Sequence, residues 1–437
     1  MILIAILFSC FSFYILLDNF KLFNNKLLKI VISIFLSVSF LSFSFSLSLF
    51  TGMNFTLYQI LFLITPIIYC IVNYKYFTAI FKKVDSTNFK LLNSELAIIL
   101  FCLVLFTSMF FFNSLRWGRW DAWAIWSLHA KFLYFNDQFA SLFTNNIIWT
   151  HPDYPLMLPS LIASIWKSLG IISPMVPLFI SYFTAICLLL LVLSSFFEFR
   201  FKTLGIISFI VVLSSILLDY FSSSQYSDTL LSVFILIPIV LKNHFDKNKS
   251  LFFLILIGFF AATNGWIKNE GVIFFVIFFL FFSFDNIKKI KNIIYFLLGA
   301  LIPLLFIIYF KTHYAPVNDL VNATSIDSLN KLTEINRYST IYDYLLEKVI
   351  YKNSLLIILL ISAIAIDYKY CLTFDFKVII SLFIIYFLVY VLTPHGLEWH
   401  LRTSVDRIIH HISPAIIYTI FFYFSQKYEV IFAKISS

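Results

Sequence analysis

The sequence predicts an all-α, polytopic integral membrane protein, and three observations lead to that fold class. First, 61% of the 437 residues are hydrophobic and only 12% are charged, whereas soluble domains carry about 25% charged residues. Second, the mean hydropathy is +0.94, so the chain has more apolar surface than one soluble core could bury. Third, apolar runs of about 15 to 25 residues recur along the chain, and a helix of that length crosses a bilayer.

These apolar runs predict about thirteen transmembrane helices. They are expected near residues 2–17, 30–50, 55–73, 96–112, 171–197, 203–218, 229–241, 250–263, 271–284, 293–310, 353–366, 376–392 and 413–426. A majority of the 31 Lys and Arg residues falls in the loops on one side, which the positive-inside rule assigns to the cytoplasm. The first span is then expected to remain uncleaved, with its N-terminus outside.

The chain is expected to have two parts: three N-terminal spans over 1–95, and a larger membrane domain over 96–437. The larger part carries three long outer segments, at about 113–170, 311–352 and 393–412, with interfacial helices expected in them. All eight Trp residues, and every His except His244, fall in or beside the outer regions. Because an aromatic belt alone would occupy both interfaces, this one-sidedness indicates a functional face.

The net charge of +9 does not predict a nucleic-acid partner. The basic residues form short clusters between apolar runs, which fits anionic lipid headgroups better than a phosphate-binding groove. The five Cys residues have no CxxC or metal-ligand spacing. They are interpreted as small membrane-buried side chains.

The first outer segment contains Asp121, between Trp120 and Trp123 and beside Arg116 and Arg119. On a helix beginning near Trp120, the aromatic residues would lie in the interface while Asp121 points away from lipid. A carboxylate in that position is a candidate general base for a hydroxyl acceptor. The alternative is a helix cap or a surface ion pair.

Further along this segment, His151 precedes Pro152, and Asp153 and Tyr154 lie between Pro152 and Pro155. The two prolines favour an extended backbone around Asp153 and Tyr154. Ordered non-helical backbone near a membrane usually lines a cavity. These side chains could hold an acceptor, a phosphate or a metal, or they could simply form a turn.

Ionisable residues also occupy the predicted outer ends of three spans. Asp228 begins the seventh span, and Lys268 and Glu270 lie between the eighth and the ninth. Such groups are costly near lipid unless they are paired or functional. The two acids could orient sugar hydroxyls or form structural ion pairs.

The last outer segment carries Glu398, His400, Arg402 and Arg407. Arginine suits phosphate because its guanidinium donates two parallel hydrogen bonds. Pairing of Arg402 with Glu398 or Asp406 is the structural alternative. No Walker, GxSxG or HExxH motif occurs in the sequence, so nothing supports nucleotide hydrolysis or a zinc peptidase.

Together these pieces resemble the GT-C class of membrane glycosyltransferases, which use polyprenyl-phosphate-sugar donors and include the protein O-mannosyltransferases and the lipid A aminoarabinose transferase. The resemblance covers about 96–437 and is one of arrangement. An acid lies in the first outer loop (120–123), a His-Pro segment follows (151–155), and a basic outer segment comes last (400–407). The chain departs from the family pattern in having one acid where the family has a pair, and Asp153 where the family has a second proline.

The resemblance implies a helical bundle with an outer cavity and a direct displacement at the anomeric carbon. Asp121 would take the acceptor proton, and Arg402, Arg407 or Lys268 would bind the departing phosphate. His151, Asp153, Tyr154, Asp228, Glu270, Glu398 and His400 would bind the acceptor or the sugar. No cofactor is firmly implied, and a divalent cation is left open.

The partners implied are a polyprenyl-phosphate-linked sugar, a glycan, lipid or protein acceptor, and membrane lipid. The location implied is the bacterial inner membrane, with the site facing the periplasm or exterior. Two other functions stay open at this point. An O-antigen ligase or polymerase would also present basic outer loops. A lipid-linked-sugar transporter or flippase would instead place charges near the bilayer midplane and break its helices in matching halves.

Overall fold

The computed structural model describes residues 2–73, 92–318, 330–351 and 353–436, and in these residues it contains helices and no strand. The fold class predicted from the sequence is therefore confirmed as all-helical. The α-helices are α1 (Ile2–Asn19), α2 (Lys26–Phe50), α3 (Phe55–Val72), α4 (Asn93–Asn113), α5 (Ser127–Tyr134), α6 (Met157–Leu169), α7 (Met175–Glu198), α8 (Lys202–Leu213), α9 (Ile216–Ser223), α10 (Asp228–Asn248), α11 (Leu251–Ile267), α12 (Asn269–Asp285), α13 (Ile290–His313), α14 (Ile335–Leu345), α15 (Ser354–Ile366), α16 (Phe374–Leu392) and α17 (Leu397–Ser436).

Nine of the described helices are long and apolar enough to cross a membrane, so the chain is an integral membrane protein in its architecture. They are α1, α2, α3, α4, α7, α10, α13, α16 and α17. The remaining four predicted spans coincide with shorter helices, α8, α11, α12 and α15, of 12 to 17 residues. The count of thirteen spans stays a prediction. Of the second outer segment, expected over about 311–352, residues 319–329 and 352 lie outside the described residues.

Helix α10 lies at the centre of the bundle. Of the residues in its most apolar stretch of 18, 94% are buried inside the protein. It packs against α7, α11 and α17, while α2 packs on α6 and α7. Because lipid is as apolar as the helices, van der Waals packing and hydrogen bonds between helices have to stabilise this arrangement. Where α11 crosses α13, a Cβ added at Gly258 would lie 1.9 Å from the Phe296 carbonyl oxygen, so only glycine fits.

Serine hydroxyls on α2 connect it to its neighbours. The Ser46 and Ser160 hydroxyls are 2.9 Å apart, and the Trp266 indole N–H donates to Ser42 Oγ over 3.1 Å. In a bundle without bulk water, such side-chain bonds between helices fix register as well as adding stability. They join the N-terminal part of the chain to the part that carries the polar residues described below.

The C-terminal helix α17 begins at Leu397, so most of the segment predicted as an outer loop over 393–412 is helical. The physical reason is a buried stripe at helical spacing. Leu401, Val405 and Ile409 are each at most 2% exposed and lie four residues apart, on one face. The charged and His residues between them obscure this stripe in a hydropathy profile, although they occupy the other faces of the same helix.

Polar side chains gather at the two ends of the bundle. Asp228 begins α10, and His244 lies near its other end, roughly 24 Å away at 1.5 Å per residue. At the His244 end, separate ion pairs join Lys29 to Asp18 and Lys202 to Glu95. The end marked by Asp228 holds the candidate site.

Candidate active site at the Asp228 end of the bundle

A short turn after α4 positions Asp121, and close contacts with the neighbouring backbone hold this turn in place. The backbone at Gly118 has φ +72°, and a Cβ there would lie 2.4 Å from the Ala122 Cβ and 2.6 Å from the Ser224 carbonyl oxygen. The Arg119 N–H donates to that same carbonyl over 3.1 Å. A helix with a π turn over Ala122–Trp126 then begins, as the sequence predicted near Trp120. The turn holds Asp121 against the segment between α9 and α10.

Arg407 on α17 joins two carboxylates that are far apart in the sequence. Its Nη1 donates to Asp121 Oδ2 over 2.6 Å, and its Nε donates to Asp228 Oδ2 over 3.1 Å. The guanidinium also lies over the Tyr226 ring, 5.1 Å from the ring centroid, which is cation–π distance. Residues from the turn after α4, the start of α10 and α17 therefore meet at one guanidinium.

Asp228 is the fully buried centre of this cluster. Its Oδ1 accepts hydrogen bonds from His411 Nε2 at 2.6 Å and from Lys268 Nζ at 3.0 Å, in addition to the Arg407 bond at Oδ2. A buried carboxylate is tolerated when several donors replace its water. Because both oxygens are engaged and the side chain is 0% exposed, Asp228 is better described as a counter-ion for its cationic neighbours than as a ligand for sugar hydroxyls.

Lys268 and Glu270 come from the tight connection between α11 and α12. Lys268 Nζ lies 3.1 Å from Glu270 Oε1, so this buried ammonium is shared by Glu270 and Asp228. Glu270 lies in the first turn of α12, where the helix dipole favours a negative charge. Its Oε2 is buried and has no hydrogen-bond partner among the described residues. Glu270 therefore presents the one carboxylate oxygen of this group that is buried and unengaged there.

Asp153 belongs to a neighbouring polar group that braces the α11–α12 connection. Its Oδ2 accepts from the side-chain amides of Asn269 and Asn318, each at 2.7 Å. Lys311 Nζ donates to the Asp153 carbonyl over 2.6 Å and to Asn269 Oδ1 over 2.7 Å. Asn269 lies between Lys268 and Glu270 in the chain. Its hydrogen bonds therefore hold in place the backbone that carries these two charged side chains.

Tyr154 stands between the two polar groups. Its ring stacks on Trp126 at 5.6 Å and on His151 at 5.0 Å. Burial, followed by the negative charge of Glu270, raises the pKa of the Tyr154 phenol well above its usual value. The phenol stays protonated at any physiological pH and can donate a hydrogen bond. His151, with φ 55°, ends the short helix before this turn.

Three predicted site residues lie outside the cluster. Arg402 and Glu398 are exposed on the first turns of α17. The His400 ring nitrogen Nδ1 lies 2.8 Å from Thr393 Oγ1, which ties the start of α17 to the end of α16. Of the predicted set, Asp121, Asp228, Lys268, Glu270 and Arg407 meet in direct contacts, whereas Asp153, Tyr154 and His151 flank them.

Sequence reasoning did not select His411, Tyr226, Lys311 or Asn269 as site residues. For His411 a signal was present, because it follows Arg407 by four residues and so lies on the same helical face. For Tyr226 and Asn269 the signal is adjacency to Asp228 and Lys268 in the chain. Lys311 has no local signal, since its contacts are made 42 and 158 residues away.

Within the described residues, no group of three or more His, Cys, Asp or Glu side chains is placed to hold a metal ion. The acids of the cluster are bonded to Arg407 or Lys268 instead. The described residues thus do not form a metal site by themselves, and the divalent cation left open from the sequence stays without assigned ligands.

A narrow groove reaches the cluster beside Tyr226. It runs between α7 and the start of α10, and Pro177, Ile180, Thr184, Tyr226 and Leu230 are among the residues that line it. On the same helix, α7, the side chains of Phe179 and Phe183 are 44% and 60% exposed. The groove is lined by apolar and polar side chains together, since Ser181, Gln225 and Thr229 also contribute to its wall.

Comparison of the chain with protein-family models, with curated proteins and with solved structures finds no match.

Proposed function

We propose that the chain is an integral-membrane glycosyltransferase that moves a sugar from a polyprenyl-phosphate donor to an acceptor hydroxyl at the outer face of a bacterial inner membrane. The observation that carries the proposal is the meeting of Asp121, Asp228 and Arg407 at hydrogen-bond distances. A general base and a phosphate-binding cation are the two groups that such a transfer needs most.

The charges of the cluster suggest how a phosphate would enter. Asp121, Asp228 and Glu270 contribute three carboxylates, while Arg407 and Lys268 contribute two cations. Both cations are already paired with carboxylates. A phosphate can therefore bind one of these cations only by displacing a carboxylate. Asp121 is the one to leave, because it is 15% exposed and holds Arg407 through one bond, whereas Asp228 is fully buried with three donors.

That displacement would also free the base. In the ion pair, Asp121 Oδ2 accepts a hydrogen bond from Arg407 Nη1. Once the donor phosphate takes the Arg407 Nη1 position, Asp121 is released from this bond and can accept the proton of the acceptor hydroxyl. Donor binding is thus expected to precede deprotonation of the acceptor.

The chemical step is one displacement. The acceptor oxygen forms a bond to the anomeric carbon as its proton passes to Asp121. The bond from that carbon to the phosphate oxygen breaks, and the electron pair leaves on the polyprenyl phosphate. Arg407 and Lys268 stabilise the added charge there.

The test is comparative mass spectrometry of cell-envelope glycans and glycolipids from cells that lack the gene and cells that carry it. We expect one monosaccharide to be missing without the gene. We also expect Asp121→Asn to reproduce that loss at normal protein levels, since removing a general base lowers rates by about 10²- to 10⁴-fold.

Glu334→Gln is the matched control, because it removes a carboxylate that is 53% exposed and lies outside the cluster. A near-normal glycan profile from Asp121→Asn cells would remove Asp121 from the mechanism. An unmodified solute that accumulates on one side of the membrane would favour the transporter instead.

A further inference from the structure

Arg119 is a second guanidinium near the cluster, and it is held in a different way from Arg407. Its guanidinium carbon lies 4.6 Å from the centroid of the Tyr220 ring, whereas that of Arg407 lies 5.1 Å from the Tyr226 centroid. Both distances are typical of cation–π contacts. Arg407 is also paired with two carboxylates. The two arginines therefore share one kind of aromatic support but differ in their charge pairing.

No carboxylate pairs with Arg119 in the part of the chain that the structure describes, where its guanidinium contacts only the Tyr220 ring. Its Nε is buried and has no hydrogen-bond partner there. The side chain is half-buried, and an arginine stays charged in a protein. Leaving the N–H groups of a charged side chain without acceptors is costly. Arg119 therefore has unused capacity to bind an anion.

The chain around Arg119 presents apolar side chains to its surroundings. Arg119 lies in the turn after α4, and Phe112, Leu115 and Trp120 are all exposed there. On a membrane protein such side chains face lipid, and tryptophan favours the level of the lipid headgroups. Arginine side chains near the ends of membrane helices extend towards those headgroups. The anion that fits this place therefore carries apolar chains.

We propose that Arg119 binds the phosphate of a membrane phospholipid whose acyl chains lie against the C-terminal end of α4. The guanidinium donates to the phosphate oxygens, while the Tyr220 ring supports its plane. Arg116, exposed in the same turn, adds positive charge. Inorganic phosphate would gain the charge attraction but not the apolar contacts. The donor phosphate of the proposed transfer is assigned to Arg407, so this lipid site goes beyond that function and does not depend on it.

The test is photo-crosslinking of the purified full-length protein in C12E8, a detergent that carries no phosphate. The probe is a phosphatidylglycerol with a diazirine in one acyl chain, and peptide mass spectrometry maps the positions that it labels. For wild-type protein we expect saturable labelling of the end of α4 and the turn after it. Unlabelled dioleoylphosphatidylglycerol should compete there, whereas dioleoylglycerol and inorganic phosphate should each compete at least about 10-fold less well.

Arg119→Gln should raise the probe concentration for half-maximal labelling about 10-fold, because the charge-assisted hydrogen bonds to the phosphate are lost. Arg119→Lys should raise it less, since the ammonium keeps the charge but not the two parallel donors. Arg116→Gln is the matched control. It removes the same charge from an exposed position in the same turn, and it should stay within about 2-fold of wild type. Unfolding temperatures in C12E8 alone verify that the variants are folded.

Equal half-maximal concentrations for wild type and Arg119→Gln, or no saturable labelling of this region in wild type, would overturn the inference. Equal losses in Arg119→Gln and Arg116→Gln would also overturn it, because they would indicate a diffuse positive charge. Competition by inorganic phosphate as strong as that by the phospholipid would reject the lipid as the ligand. The readout is independent of sugar transfer, so a normal glycan profile in Asp121→Asn cells would reject the transfer mechanism and leave this site standing.

Discussion

Asp228 illustrates at the scale of one residue how a membrane protein keeps charge within its helices. Its carboxylate bonds to Arg407, His411 and Lys268, from two other parts of the chain. The sequence identified Asp228 as notable because it begins an apolar span, but the choice between sugar ligand and ion pair stayed open. The pairing could not be read locally, because its partners lie 40, 179 and 183 residues away.

Asp228→Asn should destabilise the protein much more than Asp121→Asn. The neutral amide leaves Lys268 and Arg407 partly unpaired in a dry environment, and breaking a buried ion pair costs about 3–5 kcal/mol. Asp121 is 15% exposed and holds one partner, so its loss should reduce stability only slightly. The measurement is denaturation of both detergent-solubilised variants, read by intrinsic Trp fluorescence.

Equal unfolding curves for the two variants would mean that the cluster is hydrated and that Asp228 is not its counter-ion. Asp375→Asn provides the control for removing any buried acid. It lies at the far end of the bundle, where Asn243 donates to it over 3.0 Å, and it should leave the spectroscopic environment of Tyr226 and Trp126 unchanged.

At the scale of elements, local signals predicted the helices well and the connections poorly. Every predicted apolar run coincides with a described helix, because burying the backbone in lipid requires it to be helical. The last span was predicted to start near residue 413, whereas α17 begins at Leu397, sixteen residues earlier. Polar side chains at the start of α17 lower its hydropathy and so hide the buried stripe at Leu401, Val405 and Ile409. The sixth predicted span is divided into α8 and α9 at Ser214 and Ser215.

The turn before Asp121 yields a prediction for an element. Gly118→Ala should lower transfer activity strongly, because the new Cβ meets a side-chain carbon at 2.4 Å and a backbone oxygen at 2.6 Å. The turn must open, and Asp121 moves away from Arg407. Positive φ alone costs about 1–2 kcal/mol for a non-glycine residue.

Gly52→Ala is the matched control for that strain. Its φ is +65°, and no atom lies within 4 Å of the added Cβ, so it shares the backbone strain without the clash. Both variants are to be compared by unfolding temperature and by initial transfer rate. If Gly52→Ala lowers the rate as much as Gly118→Ala, the position of Asp121 does not depend on this turn.

At the scale of the whole molecule, the fold brings the ends of separate helices to one charged cluster. The turn after α4, the start of α10, the α11–α12 connection and the first half of α17 all contribute contacts there. The sequence predicted that the segments of Asp121 and Arg407 would meet, and their hydrogen bond agrees with that, whereas the side of the membrane on which they lie stays a prediction. It could not predict which arginine would take part, and Arg407 rather than the exposed Arg402 makes the contacts.

The most direct test of the central claim is cysteine labelling from outside the cell with a membrane-impermeant maleimide. Single cysteines replace Trp123 and Thr403, which are exposed beside Asp121 and Arg407, in a background without the five native cysteines. Both positions should react in intact spheroplasts, at rates unchanged by permeabilisation. Labelling of the two positions from opposite sides, or of both only after permeabilisation, would contradict a single outward-facing transfer site.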